Sequence, residues 1–556
     1  MKGQKQVPVL LHPLYKIGLC FSGGGYRAAA FSLGVLAYLE RLPFVKGKLL
    51  DHVTALSTVS GGTLTGATYA LSVARQQAFP EFYSEFYRFL DEDKLLERAK
   101  AIMLDNAYWK RTSKRRTMIN AFAQAYEDLL VQGNFADLEV LHKSRSLKYI
   151  CFNATEFSFG LTFRFQNTGA FGNHFLKSRK LNAIKGQVRI ADAIASSSCF
   201  PVGFEPLLFP DDYFPNHQDD GYQALKELPV FSTGVGIMDG GIVDNQGIGS
   251  MVKIDQSQKE GLPLDLIVVN DVGSFAMPPW EAAAERPTNS LTGSLKNYLS
   301  KVTNYFKLKP VYWLSLILGL SLLGISLFKS DFPSWLSITG GYLAGMGTVL
   351  TLLGIVGTLW SITIQQKAVR LLKANVPQVL WDDLDSLQKL DVSVIQRMLL
   401  ERISSSFTMI NYIFIRQLRR LNYELLFSKD HYKNRRISTT IYQLTEVKST
   451  LETMEERENK QQCISDIPHL GKIKKAARIA SEMPTTLWWN PEDRKAQRLD
   501  FIIACGQFTT CFNLITYIEK LPIDMRNHDT DMLLEFLKAD WEQFKKNPLT
   551  HLPHTE

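Results

Sequence analysis

Along the first 275 residues, short apolar runs alternate with segments whose apolar residues recur every three or four positions. The short runs predict buried strands, at Ile17–Phe21, Val53–Val59, Tyr149–Asn153, Leu161–Gln166, Val235–Met238 and Leu264–Asn270. The segment from Arg27 to Glu40 has the period of a helix, as does the one that follows Val59. This alternation predicts an α/β fold, in which helices flank a layered sheet.

A second pattern covers 310–366, where almost every residue is uncharged and most are apolar. Val311 to Phe328 carries no charge, nor does Phe332 to Gln366, and each run is long enough to cross about 30 Å of hydrocarbon with some tilt. Basic residues flank the pair, at Lys296, Lys301, Lys307, Lys309, Lys367, Arg370 and Lys373. The loop between the runs holds only Lys329 and Asp331. We expect a transmembrane hairpin of two helices with both flanks in the cytoplasm, the alternative being a buried core hairpin.

Four glycines in this hairpin would allow helices to approach closely, either within one chain or between copies in a homo-oligomer. They are Gly319, Gly324, Gly341 and Gly345.

These patterns divide the chain into 1–275, a linker at 276–309, the hairpin at 310–366, and a mostly helical C-terminal region at 367–556. Helical spacing covers Leu384 to Phe427 and Asp500 to Leu521, and a charged helix is expected at 446–462. An alternating segment that begins at Ile437 predicts a strand. Whether the C-terminal region is a separate domain or completes the N-terminal one stays open.

The 63 Lys and Arg residues exceed the 55 Asp and Glu residues by eight, a mild excess that fits an acidic membrane surface better than a nucleic acid. We therefore expect no nucleic-acid partner.

Six cysteines lie far apart, without a C-x-x-C pair, which argues against a metal site and for a reducing compartment. The N-terminal stretch before the first strand is too short and too interrupted by proline for a signal peptide, so we expect a cytoplasmic N-terminal domain.

The segment "SGGGYR", Ser22 to Arg27, joins the first strand to the first helix. Glycines in such a turn leave backbone N–H groups free to bind an anion at the helix N-terminus. The anion is either a dinucleotide pyrophosphate or the oxyanion formed when a carbonyl is attacked. The dinucleotide interpretation requires an acidic residue at the end of the second strand, and this chain has "TVSGGT" there instead.

Ser60 lies between the strand that ends at Val59 and a helix that begins near Gly61. This arrangement is typical of a nucleophile elbow, although Thr58 replaces the first glycine of G-x-S-x-G, and a serine N-cap is the structural alternative. No histidine lies in a motif that suits a catalytic base. Asp239 does follow a short strand and precede Gly240, where the alternative is an ordinary Asp-Gly turn.

Taken in order, "SGGGYR", "TVSGGT" and "MDGG" resemble the signature of the patatin-like phospholipases, and "NATEFSFGLTFRF" and "ADAIASSSCFPVGFEPL" resemble further stretches of that family. The resemblance spans about Lys16 to Ser250 and implies a patatin-like layered sheet with a Ser–Asp dyad. In that dyad Ser60 is the nucleophile and Asp239 the general base. The implied oxyanion-hole residues are Gly23, Gly24, Gly25 and Gly61. Arg27 matches the family's basic residue and either supports the loop or is a helix-face charge, and no cofactor or metal is implied.

The resemblance and the hairpin together lead us to expect a membrane-anchored lipid acyl hydrolase, like a phospholipase A or lysophospholipase, that acts on membrane phospholipid. We also expect Asp239 to be shielded from water, because aspartate with an ordinary pKa near 3.9 is a poor base. The basic stretch Lys110 to Arg116 either contacts lipid headgroups or forms a solvated face. Two alternatives remain open: a membrane effector or pore-forming protein with a hydrolase scaffold, and an anchored esterase that acts on soluble substrates.

Overall fold

A computed structural model of the protein describes residues 12–110, 113–144, 146–201, 203–257, 263–274, 280, 282, 309–328, 333–375, 392–445 and 470–553. Within the helices, only the backbone is described at 357–375, 392–396, 399 and 411. The chain forms two compact units, one made of Met1–Pro278 with Met409–Glu556 and the other of Pro279–Thr408. The charged helix expected at 446–462 and Cys463 lie outside the described residues, as does nearly all of the predicted linker.

Ten strands are present in the described part of the first unit. They are β1 Ile17–Phe21, β2 Pro43–Phe44, β3 Gly47–Lys48, β4 Val53–Val59, β5 Tyr149–Glu156, β6 Leu161–Gln166, β7 Leu207–Phe209, β8 Val235–Asp239, β9 Leu266–Asp271 and β10 Arg436–Thr440. β2 and β3 form a small hairpin, and the other eight form one mixed sheet in the order β10-β9-β1-β4-β5-β8-β7, with β6 paired to β5. The fold is therefore α/β with a mixed central sheet, in which β10, β9, β1, β4 and β5 are parallel.

The strand β5 organises the part of the sheet that bears the glycine-containing turns. β6 pairs with β5 from Cys151 onwards along one edge, so β4 and β8 share the other edge. β4 ends where Val59 lies opposite Asn153, and antiparallel β8 ends where Asp239 lies opposite Ala154. Two strands that are far apart in sequence therefore end beside each other, at consecutive residues of one neighbouring strand.

Helices cover both faces of this sheet. In the first unit they are α1 Gly25–Arg41, α2 Gly61–Ala74, α3 Phe79–Glu92, α4 Leu95–Leu104, α5 Met118–Leu129, α6 Phe135–Leu138, α7 Arg179–Ile184, α8 Ile190–Ser197, α9 Asp220–Lys226, α10 Gly241–Asp244 and α11 Ile248–Ser257. The second unit contains α12 Pro310–Phe328, α13 Ser334–Asn375 and α14 Val392–Thr408. The first unit resumes with a π-helical segment at Met409–Phe414, then α15 Ile415–Phe427, α16 Gly471–Ser481, α17 Pro491–Lys495, α18 Arg498–Lys520 and α19 His528–Lys546.

The C-terminal part of the chain packs into the core of the first unit. Helix α18 lies directly against α1, and glycines allow the two backbones to touch: a Cβ atom on Gly34 would lie 2.0 Å from the carbonyl oxygen of Ile503. A Cβ atom on Gly506 would in turn lie 2.4 Å from the carbonyl oxygen of Phe31. β10 also extends the sheet beside β9, and buried apolar residues in 437–444 and 470–552 belong to the same hydrophobic cluster as the N-terminal half.

All six strands predicted from apolar runs are present, three of them with the predicted bounds, and the strand predicted at Ile437 is β10. The helical spacing at Leu384–Phe427 corresponds to α14, the π-helical segment Met409–Phe414 and α15, while 384–391 lie outside the described residues. β2, β3 and β7 were not predicted, since strands of two or three residues leave no periodic pattern.

Three helices in the described part of the chain are long and apolar enough to cross a membrane: α12, residues Ser334–Val356 of α13, and α18. α18 is largely buried in the first unit, whereas α12 and α13 expose apolar side chains such as Phe328 and Tyr342. α12 packs against α13 where Gly319 brings its backbone close to Ala344. Among the residues that the structure describes, no atom outside the helix's own backbone lies within 4 Å of the position that a Cβ would take on Gly324, Gly341 or Gly345, and association between copies through these residues remains a prediction.

Candidate active site

Ser60 occupies the sharp turn between β4 and α2. Its backbone has φ of 50° and ψ of −122°, a conformation that costs free energy for a residue with a side chain. The backbone N–H of Ser60 donates to the hydroxyl of Ser197 at 2.8 Å, which holds the strained turn in place. The serine hydroxyl therefore lies at the N-terminus of α2, where unpaired N–H groups favour negative charge.

Thr58 stands where the G-x-S-x-G pattern has its first glycine. Helix α2, which follows the turn, leaves space for its side chain. The methyl group of Thr58 lies 2.5 Å from where a Cβ on Gly66 would be, so the missing side chain at Gly66 provides the space. The Thr58 hydroxyl shares a hydrogen bond of 2.9 Å with the hydroxyl of Thr63, which is itself 2.8 Å from the hydroxyl of Ser197. The turn geometry is therefore kept without the first glycine.

Asp239 ends β8 and is brought to Ser60 by the shared edge of β5. Its backbone N–H donates to the carbonyl of Cys199 at 2.9 Å, and its own carbonyl accepts from the Thr155 hydroxyl at 2.8 Å. Its carboxylate accepts a hydrogen bond from the N–H of Gly241 at 2.7 Å. Ser60 and Asp239, chosen from the sequence, therefore lie at the ends of two strands that meet along β5.

The pKa of Asp239 is raised to about 6. Burial is the main cause, because removal from water disfavours the charged carboxylate, and the N–H of Gly241 and the side chain of Ser60 offset this in part. Asp239 and Ser60 are 6% and 8% exposed, so little water reaches the pair. A carboxylate with this pKa is a far better base at neutral pH than an ordinary aspartate.

The glycine run follows β1 and lies beside the Ser60 turn. Gly24 and Gly25 have φ of 148° and 56°, which L-residues rarely adopt. The N–H groups of Gly24, Gly25 and Gly61 make no hydrogen bond within the part of the chain that the structure describes. Gly23 differs, because its N–H donates to the carbonyl of Asn245 at 2.9 Å. Of the four glycines expected to form an oxyanion hole, three have N–H groups available and Gly23 does not.

Close contact between backbones explains why the glycines are needed. A Cβ on Gly61 would lie 1.9 Å from the carbonyl oxygen of Gly25, and a Cβ on Gly25 would lie 2.1 Å from the carbonyl oxygen of Thr486. The N–H of Tyr26 also donates to the Thr486 carbonyl at 2.8 Å. The glycine loop is therefore held between the Ser60 turn and a C-terminal segment that sequence reasoning did not connect to the site.

Arg27 is buried and belongs to the same arrangement. Its guanidinium donates to the carbonyl of Met483 at 2.6 Å and lies 3.4 Å from the hydroxyl of Ser274. Its pKa is lowered to about 10, mainly by burial and also by the charge of Arg419, while the charge of Asp271 acts in the opposite direction. Arg27 is thus not a solvated helix-face charge, and it ties the start of α1 to the C-terminal segment.

A buried ion pair lies behind the glycine loop and was not predicted. Asp271, at the end of β9, accepts two hydrogen bonds from Arg419 of α15, at 2.6 and 2.7 Å, and one from Gln246 at 3.1 Å. Burial raises the pKa of Asp271, but the charge and hydrogen bonds of Arg419, with those of Gly273 and Gln246, outweigh it, and the pKa lies below its ordinary value. Gln246 directly follows Asn245, whose carbonyl accepts the Gly23 N–H. The Asp271–Arg419 pair therefore helps to hold the segment that contacts the glycine loop.

Asn153, in the middle of β5, links the elements of the site. Its side-chain NH₂ group donates to the carbonyl of Thr58 at 2.9 Å and to the hydroxyl of Ser57 at 3.0 Å, and its oxygen accepts from Ser250 at 2.6 Å. Its backbone carbonyl accepts from Ser197 at 2.7 Å. The sequence motif that contains Asn153 signalled the resemblance but gave no role for the residue.

The basic stretch from Lys110 to Arg116 forms internal contacts. Lys114 is buried and pairs with Asp192 at 2.5 Å, while Arg115 pairs with Asp212 at 2.6 Å. The expectation of a headgroup site or a solvated face is therefore wrong for Lys114, which solvent does not reach.

In the described residues no group of three or more His, Cys, Asp and Glu side chains could hold a metal ion, and the five described cysteines are free and buried.

Comparison with protein-family models finds one match. Residues 19–252 match the model of the patatin-like phospholipases. The matched range contains Ser60, Asp239 and the glycine loop, and it leaves out Arg419, Met483 and Thr486. No curated protein matches the chain.

Among solved structures, the chain is similar to human GIVD cytosolic phospholipase A2, with 15% identity and a TM-score of 0.30. The match covers 46% of this chain and 45% of the human protein, so less than half of either is compared. A likeness this distant does not bear on the chemistry of the site, which is argued from its own residues.

Proposed function

We propose that the chain is a lipid acyl hydrolase of the phospholipase A or lysophospholipase type, with Ser60 as nucleophile and Asp239 as general base. The observation that carries the proposal is the placement of Ser60, in the strained turn that follows β4, at the strand ends where β8 presents a buried carboxylate whose pKa is raised to about 6. The match of residues 19–252 to the patatin-like phospholipases supports the same reaction class.

In the proposed reaction, Asp239 accepts the hydroxyl proton as the Ser60 oxygen attacks the acyl carbonyl. The carbonyl oxygen becomes an oxyanion, which the available N–H groups of Gly24, Gly25 and Gly61 would stabilise. The protonated Asp239 gives its proton to the leaving alcohol, and an acyl ester on Ser60 remains. Asp239 then takes a proton from a water molecule, which attacks that ester. The fatty acid is released, and Asp239 returns the proton to the Ser60 oxygen.

We further propose that α12 and the first part of α13 anchor the enzyme in the membrane whose phospholipids it cleaves. Support comes from their length, their composition and their exposed apolar side chains. The basic residues on both flanks, and the near absence of charge in the loop, favour two spans with the first unit and the C-terminus in the cytoplasm. Anchoring would keep the local concentration of substrate high without a strong headgroup site.

The test is fatty-acid release by the full-length protein reconstituted into phospholipid vesicles, measured by mass spectrometry. Ser60→Ala and Asp239→Asn should each abolish release, while the exposed control variants Ser84→Ala and Asp220→Asn should match the wild type. Circular dichroism confirms that each variant is folded.

Two other outcomes of these assays would each favour one of the alternative functions. Cleavage of a short water-soluble ester without release from vesicles would favour an anchored esterase that acts on soluble substrates. Failure to cleave either ester would contradict the proposed hydrolase and favour a membrane effector or pore-forming protein.

A further inference from the structure

Three phenylalanine side chains are exposed on two adjacent loops beyond the end of β5. Phe157 and Phe159 lie in the turn between β5 and β6, and Phe175 lies before α7; they are 54%, 46% and 53% exposed. The rings of Phe159 and Phe175 stack with their centroids 4.5 Å apart. We call these three residues the aromatic platform.

A buried carboxylate holds the first loop in this shape. Glu156 is fully buried and accepts hydrogen bonds from the backbone N–H groups of Ser158 at 2.7 Å, Phe159 at 3.0 Å and Leu161 at 3.1 Å. A buried carboxylate is costly unless it is hydrogen-bonded in this way. The turn is therefore a built structure, and the aromatic side chains on it are presented to solvent in a defined arrangement.

The same carboxylate joins the second loop to the first. The side-chain NH₂ group of Asn173 donates to Glu156 at 3.1 Å, and its oxygen accepts from the N–H groups of Phe175 at 2.9 Å and Leu176 at 3.1 Å. Leu176 is buried under the loop while Phe175 points outwards. One buried Glu–Asn pair thus fixes both halves of the platform, although each exposed ring is unfavourable in water.

The platform lies at the same end of the sheet as Ser60. β4 and β5 are parallel, and Val59, the residue before Ser60, lies opposite Asn153. Phe157 follows Asn153 by four residues and comes directly after the end of β5, which places it about 13 Å further along the strand direction at the usual rise per residue. The rings therefore lie beyond the carboxyl ends of β4 and β5, at the end of the sheet where Ser60 follows β4.

The segment that carries the platform contains basic residues but no acidic ones. Residues 157–181 contain no Asp or Glu, and they include four basic residues, Arg164, Lys177, Arg179 and Lys180. Lys177 and Arg179 are exposed beside Phe175, whereas Lys180 pairs with Glu227 and Arg164 donates to Ser250. Exposed aromatic rings next to basic side chains suit the interface of a bilayer with anionic headgroups, where the rings enter the acyl boundary and the cations remain at the surface.

We propose that the aromatic platform inserts into an anionic phospholipid surface and seats the Ser60–Asp239 site against the bilayer. The proposal rests on the proposed function for its purpose, but the docking itself does not require catalysis. A lipid surface is favoured over a protein partner because the exposed ring of Phe175 is followed in sequence by the exposed cations Lys177 and Arg179.

Docking is tested first in the full-length Ser60→Ala protein, so that no product accumulates and the result does not depend on the hydrolase proposal. An environment-sensitive fluorophore is attached at Phe175→Cys in a Cys463→Ser background, with Ile523→Cys as the matched exposed position outside the platform. The protein is reconstituted in vesicles of phosphatidylcholine with or without phosphatidylserine, and lipids that carry a doxyl quencher in the upper acyl chain are added.

We expect lipid quenching at position 175 to be at least about threefold stronger than at position 523, and stronger with phosphatidylserine than without it. Equal quenching at both positions would overturn the proposal. A blue-shifted emission at position 175 without lipid quenching would also overturn it, and would indicate that protein, including a second copy of this chain, covers the platform.

Catalysis gives a second readout with active protein. Phe159→Ser with Phe175→Ser should lower fatty-acid release from vesicles about tenfold or more while cleavage of a soluble ester stays within about twofold of wild type. Ile523→Ser should leave both rates unchanged. Equal loss of both rates would contradict a docking role, whereas a wild type that cleaves neither substrate would contradict the hydrolase proposal and leave the quenching experiment to decide the platform.

Discussion

Arg27 and Met483 lie 456 positions apart in sequence and are joined by a hydrogen bond of 2.6 Å. The guanidinium belongs to the helix that begins at the glycine loop, and the carbonyl belongs to the segment that also contacts Gly25 through Thr486. The C-terminal part of the chain therefore shapes the candidate active site as well as the core. The site spans more of the chain than the stretch that matches a known family.

Residues 1–275 alone should not fold. Removal of the C-terminal part would expose the face of α1 that α18 covers and the edge of β9 that β10 pairs with. Expression of 1–275 should give insoluble or partly unfolded protein by circular dichroism.

The matched deletion variant lacks the second unit instead, with a flexible Gly/Ser linker from Pro278 to Met409. It should be soluble and show a cooperative thermal transition, because it keeps the whole core. A well-folded 1–275 fragment would contradict this account of the core.

The rate of ester cleavage should depend on pH through Asp239. The base works only as carboxylate, and burial raises its pKa to about 6, so the rate should fall about tenfold per pH unit below pH 6 and be level above pH 7. A pH–rate profile of kcat/KM with a soluble ester measures this on the free enzyme. An acid limb centred near pH 4 would show that Asp239 is not shielded or is not the base.

Ser60→Gly should be more stable than Ser60→Ala, although both should be inactive. At φ of 50° and ψ of −122° any Cβ is strained, and glycine removes that strain. The difference should be about 1–2 kcal/mol in the free energy of unfolding. Thermal unfolding of the two variants side by side measures it, and equal stability would contradict a strained turn.

Arg419→Met should destabilise the protein strongly, because it leaves the carboxylate of Asp271 buried without its main partner. Loss of one partner of such a pair costs about 3–5 kcal/mol. Adding Asp271→Asn to Arg419→Met should restore a large part of the loss, since the unpaired charge is then gone. Chemical denaturation of the single and double variants gives both values, and a double variant no more stable than Arg419→Met would contradict this explanation.

The candidate site was predictable where its residues lie in local motifs. Ser60 and Asp239 each follow a short apolar strand and precede glycines, so neighbouring residues reveal their positions. The expectation that the Gly23 N–H would help to form the oxyanion hole did not foresee that this N–H donates to the carbonyl of Asn245. The space that lets Thr58 replace glycine is provided by Gly66, which lies inside α2 and outside the five-residue motif.

Contacts between distant parts of the chain were not predictable from a single sequence. Nothing near Arg419 indicates that it pairs with Asp271, 148 positions away, and nothing near Thr486 indicates contact with the glycine loop. Lys114 lies in a stretch of basic residues that has the composition of an exposed surface, yet it is buried because Asp192 neutralises it. Periodicity identifies elements and their buried faces, but not which distant face each one meets.

The most direct test of the central claim is covalent labelling of the serine. A fluorophosphonate reacts with a serine hydroxyl that is activated by a base, and mass spectrometry locates the adduct. We predict one adduct, on Ser60, that forms at pH 7.5, is lost in Asp239→Asn, and is retained in the control variant Asp220→Asn. Labelling of another residue, or labelling of Ser60 that is unchanged in Asp239→Asn, would contradict the proposed Ser60–Asp239 mechanism.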